Sequence, residues 1–275
     1  MSTAVSSTPL MKSRERLMYV LLIGASALNL SINLIADVMY PIEDVKQPPS
    51  LPAWMPLLIA ISKPMIVPSL AGILYLSRQG TASTIRWGAF YVALFFCWIG
   101  DIALLFEESN YFFIGLGSFG VGHIFFIRSY LLLDRRAIQW KSFAYGLPFI
   151  VYGYTLYSII YHQLMLPKEP HTENPTAQAL AIAGYMVVLL SNGMTGSLRL
   201  RLKHKPSSST SILAGIVLFV QSDSIIAVTE YVSVLPIERF AIMATYILGL
   251  CLMVHGCILD SQESEQQQPS SFAAA

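Results

Sequence analysis

Residues 85–106 read IRWGAFYVALFFCWIGDIALLF, a run broken only by Arg86 at its start and by Asp101 near its end. As an α-helix, 22 residues rise about 33 Å, enough to cross the roughly 30 Å hydrocarbon core of a bilayer. No polar face recurs every third or fourth residue, so this segment is not the amphipathic helix of a soluble domain. Lipid is its natural solvent, which leaves the carboxyl of Asp101 to be explained. Similar runs occupy 17–38, 53–77, 111–133, 143–161, 177–198, 211–232 and 236–258. The expected fold is therefore an all-α polytopic transmembrane bundle of about eight spans.

Composition agrees with that reading. Of 275 residues, 55% are hydrophobic and 12% charged, and the mean hydropathy is +0.58. Such a chain cannot cover itself with a solvated surface. Residues 17–260 are expected to form one integral-membrane domain. The Ser/Thr-rich arm 1–16 and the Gln-rich tail 261–275 are expected to be disordered and cytoplasmic. A net charge of +1, with the basic residues in loops, excludes a nucleic-acid binder. Cys97, Cys251 and Cys257 show no ligand spacing and read as small core residues; neither a metal nor a cofactor is expected. The run after Lys12, Arg14 and Arg16 is too long for a signal peptide and reads as a retained first helix.

Orientation follows from the basic residues, because cytoplasmic loops keep Lys and Arg. With eight spans, one side collects the arm together with Arg78, Arg86, Arg135, Arg136, Lys141, Arg199, Arg201, Lys203 and Lys205. The other has Lys46, Lys168 and Arg239 beside Glu43, Asp44, Glu107, Glu108, Glu169 and Glu173. Both termini are expected in the cytoplasm.

Lys63, Asp101, His123, Arg128 and Asp223 fall inside the apolar runs, where an ionisable group costs at least about 2.5–3.5 kcal/mol at the bilayer centre. Arg128 is one turn from a helix end and can snorkel. Counting about 1.5 Å per residue from the non-cytoplasmic helix ends, Asp101 lies about 8 Å deep, Asp223 about 14 Å, Lys63 about 15 Å and His123 about 18 Å. Asn33 and Tyr246 share that layer, and Glu230 lies two turns beyond Asp223. Gly115, Gly117, Gly120 and Gly122 reduce bulk near His123, and Pro64 and Pro68 free backbone carbonyls beside Lys63. One reading is a purely structural polar network. Another is a proton-coupled carrier of small molecules or lipids, since intramembrane Asp and Lys also build proton relays. A third is a metal-dependent hydrolase using Asp101, His123 and Asp223. The fourth is acid–base catalysis by the two aspartates.

The strings Ser62-Lys63-Pro64 with Pro68, Gly100-Asp101, Tyr111-Phe112 with the glycine-rich run into Gly122-His123, Phe219 to Asp223, and Met243-Ala244-Thr245-Tyr246 resemble, in order and spacing, the YhhN-like family of eight-span membrane proteins. Its animal members include lysoplasmalogenases. The resemblance implies an endoplasmic-reticulum enzyme without a cofactor, whose partners are membrane lipid and its lysophospholipid substrate. The implied reaction is hydrolysis of the lysoplasmalogen vinyl ether to a fatty aldehyde and glycerophospho-ethanolamine or -choline. Position by position, the family's polar motif residues correspond to Lys63, Asp101, His123, Asp223 and Tyr246. A vinyl ether is cleaved by protonating carbon and capturing the oxocarbenium ion with water, so one proton donor and one anionic group are needed. Glycosidases meet a similar cation with two carboxyls. Asp101 and Asp223 are the expected catalytic pair. Lys63, His123, Tyr246 and Asn33 are expected to bind substrate or to tune the aspartates. A catalytically inactive lipid binder of the same fold is the remaining alternative.

Overall fold

A computed structural model of the protein describes residues 9–42, 50–77, 83–106, 109–131, 144–165, 175–202 and 205–266. Its regular structure among them is helical: α1 Pro9–Met39, α2 Trp54–Ser77, α3 Trp87–Ala103, α4 Ser109–Tyr130, α5 Leu147–Met165, α6 Pro175–Leu198, α7 Pro206–Tyr231 and α8 Glu238–Gln266, with a short 3-10 turn Arg199–Arg201 after α6. In hydrocarbon every backbone N–H and C=O must be satisfied within the segment, which is what a helix does. Six of the eight, all but α3 and α5, are long and apolar enough to cross a membrane. The protein is an integral, multi-pass helical membrane protein.

The surface is built for that solvent. Val20, Ile23, Leu57, Phe95, Leu180, Val187 and Leu248 are all more than half exposed. Several buried positions are polar instead: Asn29, Asp101, His123, Asn192, Arg199 and Asp260. A water-soluble protein shows the reverse distribution.

The helices close into a ring. α1 packs on α2, α2 on α3, α3 on α4, α4 on α6, α6 on α7, α7 on α8, and α8 returns to α1 and α2. α5 sits outside this ring, packed on α6 and α7, and Gly153 and Ile160 are its buried residues. The tightest pair is α7 with α8, where glycines permit backbone contact. A Cβ on Gly215 would stand 2.5 Å from the Gly249 carbonyl oxygen, and one on Gly256 would stand 2.9 Å from the Ile212 nitrogen. Small residues at such crossings are how membrane helices gain van der Waals contact without a hydrophobic drive.

Both prolines of α2 lie inside the helix. Pro68 has no N–H for the carbonyl of Pro64, and the Trp98 indole of α3 donates to that carbonyl at 2.9 Å. The freed carbonyl expected from the sequence thus ties α2 to α3.

Polar braces hold the two ends. At one, Asp37 of α1 accepts from Arg239 Nη1 at 3.3 Å and from the Phe240 N–H at 2.8 Å. At the other, Asp260 accepts from Ser83 Oγ, the Thr84 N–H and Thr84 Oγ1, and pairs with Arg199 at 2.9 Å and Lys205 at 3.2 Å. Arg199, Lys205 and Asp260 are at most 2% exposed, whereas sequence reading leaves Arg199 and Lys205 as ordinary loop charges. Polar partners also lengthen the helices beyond the expected 17–260 domain. α1 begins at Pro9, with Glu15 accepting from Ser77 of α2 at 2.8 Å. α8 runs to Gln266, with Ser264 accepting from Lys205. Residues 261–266 are therefore helical, not part of a disordered tail. The expected arm residues 1–8 and tail residues 267–275 lie outside the described residues, as do Glu43, Asp44, Lys46, Arg78, Glu107, Glu108, Arg135, Arg136, Lys141, Lys168, Glu169, Glu173 and Lys203.

Candidate functional site

The polar layer read from the sequence resolves into two neighbouring centres. The first joins α2, α3 and α8. Asp101, one turn from the end of α3, has Lys63 Nζ at 3.8 Å from Oδ1, and the Tyr246 hydroxyl donates to Oδ2 at 2.6 Å. Its side chain is 2% exposed and Lys63's is 11%. The carboxylate and ammonium neutralise one another where either alone would be expensive.

The second centre joins α4, α6 and α7. Asp223 accepts from the Tyr185 hydroxyl in a short hydrogen bond. His123 Nε2 stands 3.8 Å from the same carboxylate oxygen. Behind the ring, Asn192 Nδ2 donates to His123 Nδ1 at 3.1 Å, which places the neutral imidazole's proton on Nε2. The 3.8 Å to Asp223 is too long for a hydrogen bond, and among the described residues Nε2 has no hydrogen-bond partner. A fully buried donor left unpaired costs about 1–3 kcal/mol. A polar atom placed between Nε2 and the carboxylate would remove that cost.

Aromatic rings separate the centres. Phe219 lies edge-on between His123, with ring centroids 4.7 Å apart, and Tyr246, at 5.3 Å; Phe119 packs on Phe219 and Tyr246, each at 6.1 Å. Gly100 makes room for this layer, since a Cβ there would lie 2.7 Å from the Phe119 ring. Cys97, fully buried, belongs to the same packed core.

A groove open on one side runs beside the second centre. α4, α5, α6 and α7 form its walls; Asp223, Tyr185 and Ser224 are on them, with Leu116, Leu156 and Met186. Asp101 is not among its lining residues, and the side-chain exposures agree, 12% for Asp223 against 2% for Asp101. An apolar cleft with a few convergent polar groups is the usual form of a small-molecule site.

The remaining sequence-picked residues fall elsewhere. Asn33 donates to Asn29, whose amide donates to Ser62 at 3.0 Å, next to Lys63. It belongs to the α1–α2 interface and is not bonded to either aspartate. Glu230 and Arg128 are exposed, Arg128 at the end of α4 as snorkelling requires. Among the described residues no three His, Cys, Asp or Glu side chains gather where they could hold a metal ion. Tyr185 and Asn192 were missed by the sequence reading. Tyr and Asn are uncharged and common in membrane helices, so no rule of cost singles them out.

Fold and site together define a multi-pass membrane protein with two carboxyls among its apolar helices, one of them on the wall of an apolar groove. The YhhN family model matches residues 58–257, most of the chain, and the protein belongs to that family. The match spans Lys63, Asp101, His123, Tyr185, Asn192, Asp223 and Tyr246. A search of curated proteins and one of solved structures each returned no match.

Proposed function

We propose that the protein is a lysoplasmalogenase of the endoplasmic-reticulum membrane. It would cross the bilayer eight times with both termini cytoplasmic, as the basic-residue asymmetry favours. The observation that carries the reaction is Asp223, held by Tyr185 and faced by the unpartnered Nε2–H of His123 on the wall of an apolar groove. This unites a proton-exchanging carboxyl, a donor awaiting a polar atom and room for hydrocarbon.

In the reaction, protonated Asp223 gives its proton to the vinyl-ether carbon that is not bonded to oxygen. The double-bond electrons form the new C–H bond, and positive charge spreads over the other carbon and the ether oxygen. The carboxylate left on Asp223 faces that cation, and the Asp101–Lys63 pair behind the Phe219 layer adds its dipole to the field of the site. Water, oriented by His123, adds to the cationic carbon and returns a proton to Asp223. The hemiacetal then collapses: its C–O bond to glycerol breaks, the hydroxyl proton passes to the glycerol oxygen, and fatty aldehyde and glycerophospho-ethanolamine or -choline result. General acid–base catalysis of this kind contributes about 10²–10⁴-fold.

Purified protein in detergent is expected to release aldehyde from lysoplasmenyl-ethanolamine, and Asp223→Asn and Asp101→Asn to lose at least about 100-fold. Full activity in either variant sinks the two-carboxylate mechanism. Folded wild type that releases no aldehyde sinks the hydrolase reading and favours a lipid carrier.

A further inference from the structure

We propose that the groove beside Asp223 is a lateral binding site for the hydrocarbon chain of a single-chain lipid, reached from the bilayer between α4 and α5. The inference rests on the hydrolase reading for the chemistry of the occupant, and its geometry stands apart from it. α4 packs on α3 and α6, and α5 on α6 and α7, but α4 and α5 are not a packed pair. Both line the groove, α4 through Phe112, Leu116 and Phe119 and α5 through Tyr152 and Leu156, and the proposed mouth lies between them.

Its lining on α7 extends from Val220 to Tyr231, about 16 Å along the helix. Asp223 is one turn from the Val220 end, and beyond Ser224 the longer stretch is lined by Ile226, Ala227 and Tyr231. A chain whose reactive bond lies at Asp223 therefore has about 12 Å of hydrocarbon wall on α7 to lie against. Leu116 of α4 and Ile182 and Met186 of α6 line it as well. Among the described residues nothing cationic lines the groove, so a phosphate has no partner from them there. The occupant is the chain, and the head group lies outside.

A bilayer phospholipid would present two chains to a single channel; a lysolipid presents one. The open side sets no limit on length, because a chain longer than the wall continues between α4 and α5 into the bilayer. Tyr152 of α5 donates to Ser224 of α7 at 2.7 Å at the groove wall, and with a residue exposure of 41% it stands at the lipid boundary.

The test uses a saturated 1-O-alkyl lysophospholipid carrying a diazirine in its chain, which has no vinyl ether to cleave. Full-length protein in nanodiscs is irradiated and the labelled peptides mapped by mass spectrometry. Label is expected on α4, α6 and α7 around Leu116, Met186 and Ala227, and to be displaced by unlabelled alkyl lysolipid. Met186→Trp and Leu116→Trp, which fill the groove from α6 and α4, should each cut that label at least tenfold. Leu180→Trp, lipid-facing on the same helix as Met186, should leave it intact. Melting in detergent checks that each variant is folded, and either groove variant alone suffices for the reading. Label spread evenly over lipid-facing helices, or unchanged in the folded groove variants, overturns the proposal. Groove labelling in a protein that releases no aldehyde from the vinyl-ether substrate would leave this site standing while refuting the hydrolase.

Discussion

Replacing Gly215 by alanine should damage both stability and turnover from a position about 12 Å along α7 from Asp223. The added Cβ would sit 2.5 Å from the Gly249 carbonyl oxygen and 2.8 Å from the Met253 nitrogen. Ordinary contact begins at 3.4 Å, so the helices must separate or slide by roughly 0.9 Å. Both obstructing atoms are backbone, and no rotamer change relieves them. Overpacking of this kind costs about 1–3 kcal/mol, and the upper end applies when the neighbours are rigid. Alanine returns about 1 kcal/mol of helix propensity, leaving a net loss of about 2 kcal/mol. For a chain of this size that is a fall of roughly 4–8 °C in Tm. α7 also carries Phe219 and Asp223, and a misplacement near 1 Å can cost about 100-fold in rate, so aldehyde release should fall by about 10- to 100-fold. Thermal melting followed by size exclusion in detergent, with turnover on the same preparations, reads both effects. Gly24→Ala, with no atom within 4 Å of its Cβ, is the control. If Gly215→Ala melts and turns over like the control, close approach of α7 and α8 does not position the site.

Other expectations follow from individual contacts. Asp260→Asn leaves Arg199 and Lys205 buried without their counter-charge, a loss of about 3–5 kcal/mol, whereas the triple change Arg199→Met, Lys205→Met and Asp260→Leu, which removes every charge of the brace, should melt closer to wild type; equal melting of Asp260→Asn and wild type would contradict the brace. Tyr185→Phe removes the hydroxyl donated to Asp223 and should lower turnover about 10-fold or more while leaving Tm within 2–4 °C, about 1 kcal/mol. Asn192→Leu releases His123 from its Nε2–H tautomer, and nitrogen NMR of labelled histidine should report the redistribution between ring nitrogens. Trp98→Phe strands the Pro64 carbonyl and should destabilise by about 1–3 kcal/mol, visible as a lower melting temperature with substrate binding retained.

Much of this architecture was legible before any coordinates. Apolar runs near 20 residues specify helices because hydrocarbon offers backbone groups no other partner, and the eight runs correspond to α1 through α8 within a few residues, except where polar contacts extend α1 and α8. The constant helical rise turns residue number into distance along a helix, so, with the helices oriented by the basic residues, Lys63, Asp101, His123 and Asp223 were expected in one layer. Their cost in lipid marked them, and the order of their motifs pointed to the YhhN family that the chain matches.

Rotation about each helix axis was another matter. A helix apolar on all sides carries little periodicity to say which face turns inward, so the sequence could not assign partners within the layer. Tertiary packing alone put Asp101 with Lys63 and Tyr246, and Asp223 with Tyr185 and His123, and set Phe219 between them. It also left Asn33 bonded to Asn29 and drew Arg199 and Lys205 inside around Asp260. By itself the sequence determined which polar groups fall within apolar helices and how far along them, because the rise per residue is fixed. Which carboxyl faces the groove was decided in three dimensions, by how α4, α5, α6 and α7 pack around it, which no one helix encodes alone.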